Sequence, residues 1–395
     1  MTPAARIAAA IEVLDQVFDG LAAEQALTRW ARGARYAGSK DRAGVRDHVF
    51  QALRCRRSYA AMGGGEDGRA VMIGALRADD VDPGTVFTGE GHAPDILSAV
   101  ETAVTPATLS EAQSADLPDW LWRVFEADLG ADAMAQARTQ RNRAPVGLRV
   151  NIQMNTVLQT IEMLEGDGII AMPVEACETA LIVTEGARKI RQSQAYLTGA
   201  VELQDVSSQS AMARVTVPPG ARVLDYCAGG GGKTFALAAL AQNDPDPVRF
   251  FAHDIAPGRM ADLPTRATRA GVEVTLLETS EIDRQAPFDI VLCDVPCSGS
   301  GTWRRAPEAK WRLTLDRLEE LSRIQMDILQ SSSKFLRPGG QLIYTTCSVL
   351  TRENADRIQA FSNAHPGQYD LQQQIQTPVS DIGDGFFYAS LIRTH

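Results

Sequence analysis

The most informative segment of this chain is Arg222-Val-Leu-Asp-Tyr-Cys-Ala-Gly-Gly-Gly-Gly-Lys-Thr234. Its first four residues predict a strand, and a predicted helix over residues 234–240 follows the glycines. Glycines let the backbone approach a ligand closely, and the free N–H groups at a helix N-terminus can bind that ligand. Asp254 ends the next predicted strand, where its carboxylate can accept hydrogen bonds from two ribose hydroxyls. The segment therefore indicates a site for a nucleotide-like ligand.

Predicted strands and helices alternate along the chain after Pro218-Pro-Gly220. Such alternation is typical of a parallel sheet with crossover helices, so we predict a doubly wound α/β domain. The predicted strands cover residues 222–225, 249–254, 273–277, 288–294 and 341–345, and helices follow the first, second, fourth and fifth of them.

The region before this domain divides into two parts. The chain begins with apolar residues at helical spacing, and Ser39 is a predicted N-cap of a later helix. Because strand signals are weak before residue 70, we predict a small helical bundle. Loops are predicted at 63–68 and 79–94. From residue 145, two strands (146–151 and 180–184) and a helix (156–166) predict a compact α+β subdomain.

Length and composition exclude several classes of protein. The 395 residues provide for roughly two or three domains. No apolar run approaches the ~18 residues of a membrane span, and Glu12 and Asp15 interrupt the apolar N-terminus where a signal peptide needs an unbroken stretch. We therefore expect a cytoplasmic protein whose cysteines are reduced. The six cysteines include no CxxC pair and have no His nearby, so no metal site is expected.

The net charge of −10 is unevenly distributed. Residues 29–57 contain nine basic and two acidic side chains, a local net charge of +7. A second basic patch consists of Arg138, Arg141, Arg143 and Arg149. Binding of a polyanion depends on local potential rather than total charge, so this segregation favours a nucleic-acid partner. Solvated helix faces are the alternative interpretation of either patch.

Three further residues are predicted to lie at the carboxyl ends of strands. Asp294 and Cys297 directly follow one predicted strand, and Cys347 follows another. Ligands of an open α/β sheet bind at this edge, which the glycine loop also borders. A single cysteine is often only a small buried apolar residue, and this role explains Cys55, Cys177 and Cys293. Cys227 can simply line the glycine loop. Two loop cysteines beside a carboxylate favour covalent chemistry.

A P-loop is the main alternative for the glycine segment. Gly232-Lys-Thr234 matches the end of that motif, and the apolar run 288–293 followed by Asp294 resembles its Mg²⁺-binding strand. However, the first glycine of the motif would fall on Cys227. This alternative also leaves Cys297 and Cys347 without a role, so we favour a different nucleotide-like ligand.

Several segments resemble the RsmB/Sun (NOL1/NOP2/Sun) family of RNA cytosine-5 methyltransferases. The resemblance is strong from about Leu117 to His395 and weaker for residues 1–75, which are similar to the helical NusB-like domain of the bacterial 16S rRNA members. The segments that carry it are Leu148-Arg-Val-Asn151, Gln204-Asp-Val-Ser-Ser-Gln209, Asp225-Tyr-Cys-Ala-Gly-Gly-Gly-Gly-Lys-Thr234, Asp294-Val-Pro-Cys-Ser-Gly-Ser-Gly-Thr-Trp-Arg-Arg305, Thr345-Thr-Cys-Ser348 and Gly383-Asp-Gly-Phe-Phe387.

The resemblance implies three domains. Residues 1–115 would form the NusB-like RNA-binding domain, residues 116–205 a linker helix and an α+β subdomain similar to an RNA-recognition motif, and residues 206–395 a Rossmann-like domain that uses S-adenosylmethionine. The helices predicted in residues 1–110 are few for a complete NusB-like domain. The implied substrate is a cytosine in unassembled or partly assembled 16S rRNA, and the implied state is a monomer. A tRNA substrate, or a non-catalytic assembly factor with this fold, is the alternative.

The resemblance also implies a role for each site residue. Cys347 would be the nucleophile that adds to C6 of cytosine, Cys297 the base that removes the C5 proton, and Asp294 the hydrogen-bond partner of N3. Arg304, Arg305 and Lys310 would either contact phosphates or lie in a solvated loop. The residues implied for the cofactor are Cys227, Ala228, Gly229, Gly230, Gly231, Gly232, Lys233, Asp254 and Asp294.

The sequence departs from the family pattern at two places. Gly230 stands where the family usually has Pro, which should loosen the loop without removing a hydrogen-bond donor. The family usually has an Asp after the third strand, near the adenine, and the nearest residues here are Glu278 and Thr279.

Overall fold

A computed structural model describes residues 1–105, 108–241 and 246–395. The chain divides into two compact units. The first contains Met1–Arg143 and the short segment Trp303–Leu313, and the second contains Ala144–Thr302 and Thr314–His395.

The first unit is helical. Its first helix begins after Thr2, whose hydroxyl caps the helix by accepting from the Ala5 N–H, and it buries Val13 and Leu14 in the core of the unit. Ser39 is the first residue of the third helix rather than its cap, which is Gly38. The helices are α1 (Pro3–Phe18), α2 (Ala23–Gly33), α3 (Ser39–Arg54), α4 (Arg56–Gly63), α5 (Gly68–Ala78), α6 (Ala99–Ala103), α7 (Glu111–Ser114), α8 (Asp119–Leu129) and α9 (Ala133–Thr139).

The predicted helical bundle is confirmed, but it holds more helix than the sequence indicated. Five helices occupy Pro3–Ala78, where the sequence indicated few. The helix α5 was missed because Gly68 and Gly74 weaken its sequence signal. Gly74 is required there, since an added Cβ would meet the Tyr59 carbonyl oxygen at 1.8 Å. The close approach of α4 and α5 therefore selects glycine at this position.

The first part of the second unit is a four-stranded antiparallel sheet in the order β2-β3-β1-β4. Two of its strands and its longer helix match the predicted α+β subdomain, and Thr156 caps that helix. β2 and β4 were not predicted. The elements are β1 (Val146–Val150), α10 (Val157–Gly166), β2 (Ile170–Val174), β3 (Cys177–Glu185), α11 (Gln194–Leu197) and β4 (Val201–Leu203).

The rest of the second unit is built on a seven-stranded sheet in the order β10-β11-β9-β8-β5-β6-β7. The five strands from β9 to β7 in this order are parallel and correspond to the five predicted strands, so the doubly wound domain is confirmed. β10 and β11 add an antiparallel edge that was not predicted. The elements are α12 (Val206–Met212), β5 (Arg222–Asp225), α13 (Gly232–Leu240), β6 (Arg249–Ala252), α14 (Leu263–Ala270), β7 (Val274–Leu276), α15 (Ile282–Gln285), β8 (Phe288–Asp294), α16 (Glu308–Arg312, in the first unit), α17 (Leu315–Ser332), β9 (Leu336–Thr346), α18 (Ala355–Ala364), β10 (Tyr369–Thr377) and β11 (Phe386–Arg393).

The segment Trp303–Leu313 corrects the prediction of phosphate contacts or a solvated loop for Arg304 and Lys310. Both side chains are buried, at 1% and 2% exposure. Lys310 donates to the Arg54 carbonyl at 2.8 Å, and Arg54 donates to the Arg304 carbonyl at 2.7 Å. Burial lowers the pKa of Lys310 to about 8. These cations therefore hold the first unit together, and Arg305 alone of the three basic residues is exposed.

Several side chains of the two basic patches are buried or paired with acids in the structure. Arg54 is buried, Arg46 pairs with Glu24, and Arg57 pairs with Asp119. Arg149 lies buried in β1 of the second unit, so it cannot belong to a surface patch with the others. Exposed basic side chains remain in α2, α3 and the loop between them: Arg29, Arg32, Arg35, Lys40 and Arg42.

In residues 1–105, 108–241 and 246–395, none of the helices combines the length and the apolar character that a membrane-spanning segment needs. Over the same described ranges, no three His, Cys, Asp or Glu side chains are grouped as the ligands of a metal ion would be.

Candidate active site

The glycine loop joins β5 to α13 at the carboxyl edge of the sheet. Gly229 and Gly231 have φ angles of +49° and +76°, in the left-handed region that glycine adopts without steric cost. An added Cβ on Gly231 would also lie 2.9 Å from the Leu263 side chain. The loop ends where α13 begins, at Gly232, so the first N–H groups of the helix border it.

Asp254 lies next to this loop, just after β6, as the sequence predicted. Its Oδ2 accepts from the Gly229 N–H at 3.1 Å, and its Oδ1 accepts from the Ala256 N–H at 3.0 Å. Arg259 approaches Oδ2 at 3.2 Å. The following residue, Ile255, is 81% exposed. A glycine turn, a carboxylate and an adjacent exposed apolar side chain are groups that suit a nucleoside.

The two residues considered for the adenine lie beyond β7. Glu278 and Thr279 are both exposed. The Thr279 hydroxyl lies 2.9 Å from His253 Nε2, and the His253 ring lies 4.8 Å from the Tyr226 ring, measured between centroids. His253 therefore connects this segment to the glycine loop, a contact that no sequence motif indicated.

Polar and charged side chains connect the small antiparallel sheet to the glycine loop. Arg266 of α14 donates to the Gly230 carbonyl and pairs with Glu202 of β4 at 2.9 Å. Gln204, just after β4, donates to the Gly232 carbonyl at 3.3 Å. The predicted loosening at Gly230 is therefore opposed by a contact from Arg266, whose guanidinium would lie 2.5 Å from a Cβ at that position.

Burial changes the acid–base properties of the strand that leads into the loop. Asp225 is 1% exposed and accepts from the Thr234 hydroxyl at 2.7 Å. Burial raises the pKa of Asp225 to about 7. Burial also raises the pKa of the Cys227 thiol, so this cysteine stays protonated and lines the loop rather than reacting.

Asp294 ends β8 and contacts residues from two other elements. Lys233 Nζ lies 2.5 Å from Asp294 Oδ2, and the Thr345 hydroxyl donates to Oδ1 at 3.0 Å. Burial lowers the pKa of Lys233, but the charge of Asp294, its hydrogen bond to Lys233 and the nearby Cys347 and Asp225 together outweigh burial, so the pKa of Lys233 is raised. The Phe386 ring lies 5.3 Å from Lys233 Nζ. Sequence reasoning assigned no role to Thr345, although it lies two residues before Cys347.

The two predicted cysteines are in contact. Cys297 Sγ and Cys347 Sγ lie 3.4 Å apart, and both residues are partly exposed. The hydrogen bond from Cys297 lowers the pKa of Cys347, and the same bond raises the pKa of Cys297 well above its usual range. The Thr302 hydroxyl lies 4.0 Å from Cys347 Sγ. This contact therefore favours ionisation of the Cys347 thiol and keeps the Cys297 thiol protonated.

Two family models match the chain. Residues 214–392 match the model described as 16S rRNA methyltransferase RsmB/F. Residues 117–189 match the ferredoxin-like domain of RsmF/B-like methyltransferases, a region that includes β1 to β3.

Curated relatives match over longer stretches. The chain is 30% identical over 389 residues to ribosomal RNA small subunit methyltransferase B of Xylella fastidiosa strain Temecula1. This alignment covers 94% of this chain and 85% of that protein. It is 32% identical over 292 residues to the protein of the same name from Enterobacter sp. strain 638, covering 70% of this chain and 66% of that protein.

Solved structures show the same architecture. The crystal structure of PH0851 has a TM-score of 0.77 and 25% identity, covering 100% of this chain and 99% of that one. NSun6 from Pyrococcus horikoshii with SFG has a TM-score of 0.61 over 70% of this chain and 98% of that one, and at 16% identity it supports the fold alone. With the doubly wound sheet, the helical first unit and the matches to both family models, the chain belongs to the RsmB/F family of 16S rRNA methyltransferases.

Proposed function

We propose that this protein methylates C5 of a cytosine in 16S rRNA, with S-adenosylmethionine as the methyl donor. The observation that carries the proposal is the pair of sulfurs 3.4 Å apart, of which one thiol has a lowered pKa and the other a raised one. C5 of cytosine is a poor nucleophile until a thiolate adds to C6, so this reaction needs one thiolate and one base.

The residues around the glycine loop suit S-adenosylmethionine. The backbone of Cys227–Lys233 and the first turn of α13 would surround its amino-acid part, and Asp254 would accept from its ribose hydroxyls. The exposed Ile255 offers an apolar surface to the adenine. When bound, S-adenosylmethionine supplies an electrophilic methyl group.

Cys347 begins the reaction. Its thiolate forms a bond to C6, the C5–C6 π electrons become a C4–C5 double bond, and the C4–N3 π electrons become a lone pair on N3. C5 is then a nucleophilic enamine carbon, and N3 is more basic. Asp294 would contact N3, and the ammonium of Lys233, 2.5 Å from Asp294, would supply through this carboxylate the proton that N3 takes up as its basicity rises. Thr345 keeps the carboxyl group in place through Oδ1. A hydrogen-bond donor that is already in position when the reaction begins stabilises the activated ring without any reorganisation of solvent.

Cys297 completes the reaction. The negative sulfur of Cys347 is a main cause of the raised pKa of Cys297. Once that sulfur is bonded to C6 it carries no charge, so Cys297 can lose its proton to solvent and become a base. Once C5 has accepted the methyl group, with S-adenosylhomocysteine as the leaving group, N3 returns its proton to the Lys233–Asp294 pair. Cys297 then takes the C5 proton, the C5–C6 double bond re-forms, and the bond between C6 and Cys347 breaks.

The RNA must present an unpaired cytosine, because the ring faces are covered in a stacked helix. This favours free or partly assembled rRNA over the mature particle. We assign RNA binding to residues 1–115 and 116–205 and catalysis to residues 206–395. Exposed cations in α2, α3 and their connecting loop suit phosphates, and such contacts position an RNA without reading its sequence.

Bisulfite sequencing of total RNA from a strain that lacks this gene tests the proposal. One 5-methylcytosine should disappear from 16S rRNA and return with the wild-type gene. Loss of a tRNA site instead would move the substrate to tRNA. An unchanged methylation pattern, together with no binding of S-adenosylmethionine in calorimetry, would overturn the proposal in favour of a non-catalytic assembly factor.

A further inference from the structure

A buried carboxylate lies between the two loops that carry the cysteines. Glu353 ends the short 3₁₀ turn Thr351–Glu353 after β9, and its side chain has no solvent exposure. Its Oε1 accepts from the Ser298 N–H at 2.8 Å and from Gln325 Nε2 at 3.1 Å. Its Oε2 accepts from the hydroxyls of Ser298 and Ser348, each at 2.5 Å. A single carboxylate thus receives four hydrogen bonds from three residues.

The contacts of Glu353 fall next to the reactive sulfurs. Ser298 directly follows Cys297, and Ser348 directly follows Cys347. The two loops also meet through the Ser300 and Ser348 hydroxyls at 2.8 Å and through the Gly301 N–H, which donates to the Cys347 carbonyl at 2.9 Å. The cysteines are fifty residues apart in the chain, so contacts of this kind must set the distance between them.

We propose that Glu353 is a positioning residue that holds the Cys297 and Cys347 loops together, so that both sulfurs can act on one cytosine ring. This inference rests on the two-cysteine reaction proposed above. Glu353 itself does not touch either sulfur and exchanges no proton with the substrate.

The buried surroundings of Glu353 support this role. A buried carboxylate is costly unless its oxygens accept several hydrogen bonds, and the donors around Glu353 meet that requirement. Conversely, those donors have no water to turn to if the carboxylate is removed, so the loops must rearrange. Because a displacement of about 1 Å in a reacting group can cost ~100-fold in rate, loop separation should reduce turnover strongly.

The isosteric change Glu353→Gln distinguishes the effect of the hydrogen bonds of Glu353 from the effect of its negative charge. The amide oxygen can accept from the Ser298 N–H and Gln325, and the amide N–H₂ can donate to the two serine hydroxyls, which rotate to accept. All four contacts can therefore persist without the negative charge. Glu353→Ala removes all of them. Ser332→Ala is the matched control, because Ser332 is a buried serine of the same unit whose hydroxyl contacts Cys293 and neither loop.

The experiment measures two quantities on the full-length protein. The first is kcat and the KM for S-adenosylmethionine with 16S rRNA. The second is the rate at which iodoacetamide alkylates Cys347, followed by mass spectrometry across a pH series without RNA or cofactor. Separation of the sulfurs would remove the hydrogen bond that lowers the pKa of Cys347 and would move its alkylation profile to higher pH.

We expect Glu353→Ala to lower kcat by ~100-fold with an unchanged KM for S-adenosylmethionine, and to move the Cys347 profile upward. Glu353→Gln and Ser332→Ala should keep the wild-type profile and most of the turnover. If Glu353→Ala does not fold, Ser298→Ala, which removes one hydroxyl donor from the same network, should show a smaller shift in the same direction.

Two results would overturn the inference: a wild-type alkylation profile in both Glu353→Ala and Ser298→Ala, or a Glu353→Gln variant as impaired in turnover as Glu353→Ala with an unmoved profile. The second result would mean that the charge acts in the chemistry. Failure of the proposed function has a different signature, since wild-type protein would then not methylate cytosine while the alkylation profiles would still report on the loops.

Discussion

The glycine loop and the pair of cysteine loops border the same edge of the sheet but are built in different ways. The glycine loop is one continuous segment whose shape follows from positive φ angles at Gly229 and Gly231. The cysteine loops follow β8 and β9, fifty residues apart, and depend on buried polar contacts to bring the sulfurs together. Local backbone geometry therefore makes the first site, and long-range packing makes the second.

This difference predicts where substitutions will act. Changes at the cysteine loops should alter turnover and the fate of the covalent intermediate. Changes around the glycine loop should alter cofactor affinity or stability and leave the chemical step intact.

The largest effect is expected for Cys347→Ala. Without the thiolate, C6 is not attacked, so methylation and any covalent protein–RNA complex should both be absent. Methyl transfer from labelled S-adenosylmethionine and denaturing gels measure the two outcomes. Cys177→Ala, which removes a thiol from β3, is the control. Accumulation of the complex in Cys347→Ala would mean that the roles of the two cysteines must be exchanged.

The next largest effect is expected for Cys297→Ala. Attack by Cys347 remains possible, but no base removes the C5 proton, so the bond to C6 does not break. Turnover should fall about 1000-fold, and a covalent complex that survives denaturing gels should accumulate. A variant that turns over normally, or that loses activity without forming the complex, would contradict the assignment of Cys297 as the base.

Lys233→Met tests the link between the two regions, because Lys233 lies in the first turn of α13 and contacts Asp294. Loss of the ammonium leaves Asp294 without its proton donor, so kcat should fall ~100-fold. Lys334→Met, at an exposed lysine of the same unit, should be silent. A change confined to the KM for S-adenosylmethionine would assign Lys233 to the glycine loop alone.

Arg266→Ala should weaken the binding of S-adenosylmethionine about fivefold in calorimetry, since it removes one hydrogen bond to the Gly230 carbonyl. The value of kcat should be unchanged. Arg269→Ala is a matched control: Arg269 also pairs with Glu202, while the contact to Gly230 comes from Arg266. Equal effects of the two substitutions would show that the Glu202 ion pairs matter rather than the loop contact.

Asp225→Asn should have the smallest effect on activity and a defined effect on stability. The pKa of Asp225 is raised from 3.8 to about 7, so between these values the folded state binds a proton that the unfolded state lacks. The free energy of unfolding should therefore fall as the pH rises through that window. The amide does not titrate, so the variant should show a flatter dependence of Tm on pH. A wild-type slope would exclude Asp225 as the cause.

The sequence predicted the parts of the fold that have local signals. Strand β8 was predicted with its observed limits because its run of apolar residues ends at an acid, and the glycine loop was predicted because its residues are contiguous. β10 was missed because its polar residues face solvent at the edge of the sheet. Arg304 and Lys310 were misjudged because the charge of a side chain does not reveal its burial.

Residues close together in the chain were enough to predict the strand–loop–helix segment, the positions of Asp254, Asp294 and both cysteines at strand ends, and the family that the chain resembles. The folded structure was needed to find that the sulfurs are in contact, that Lys233 pairs with Asp294, and that Glu353 joins the two loops. The physical reason is range: backbone conformation and apolar periodicity depend on neighbouring residues, whereas a buried hydrogen bond depends on which distant donors the folded chain brings within about 3 Å.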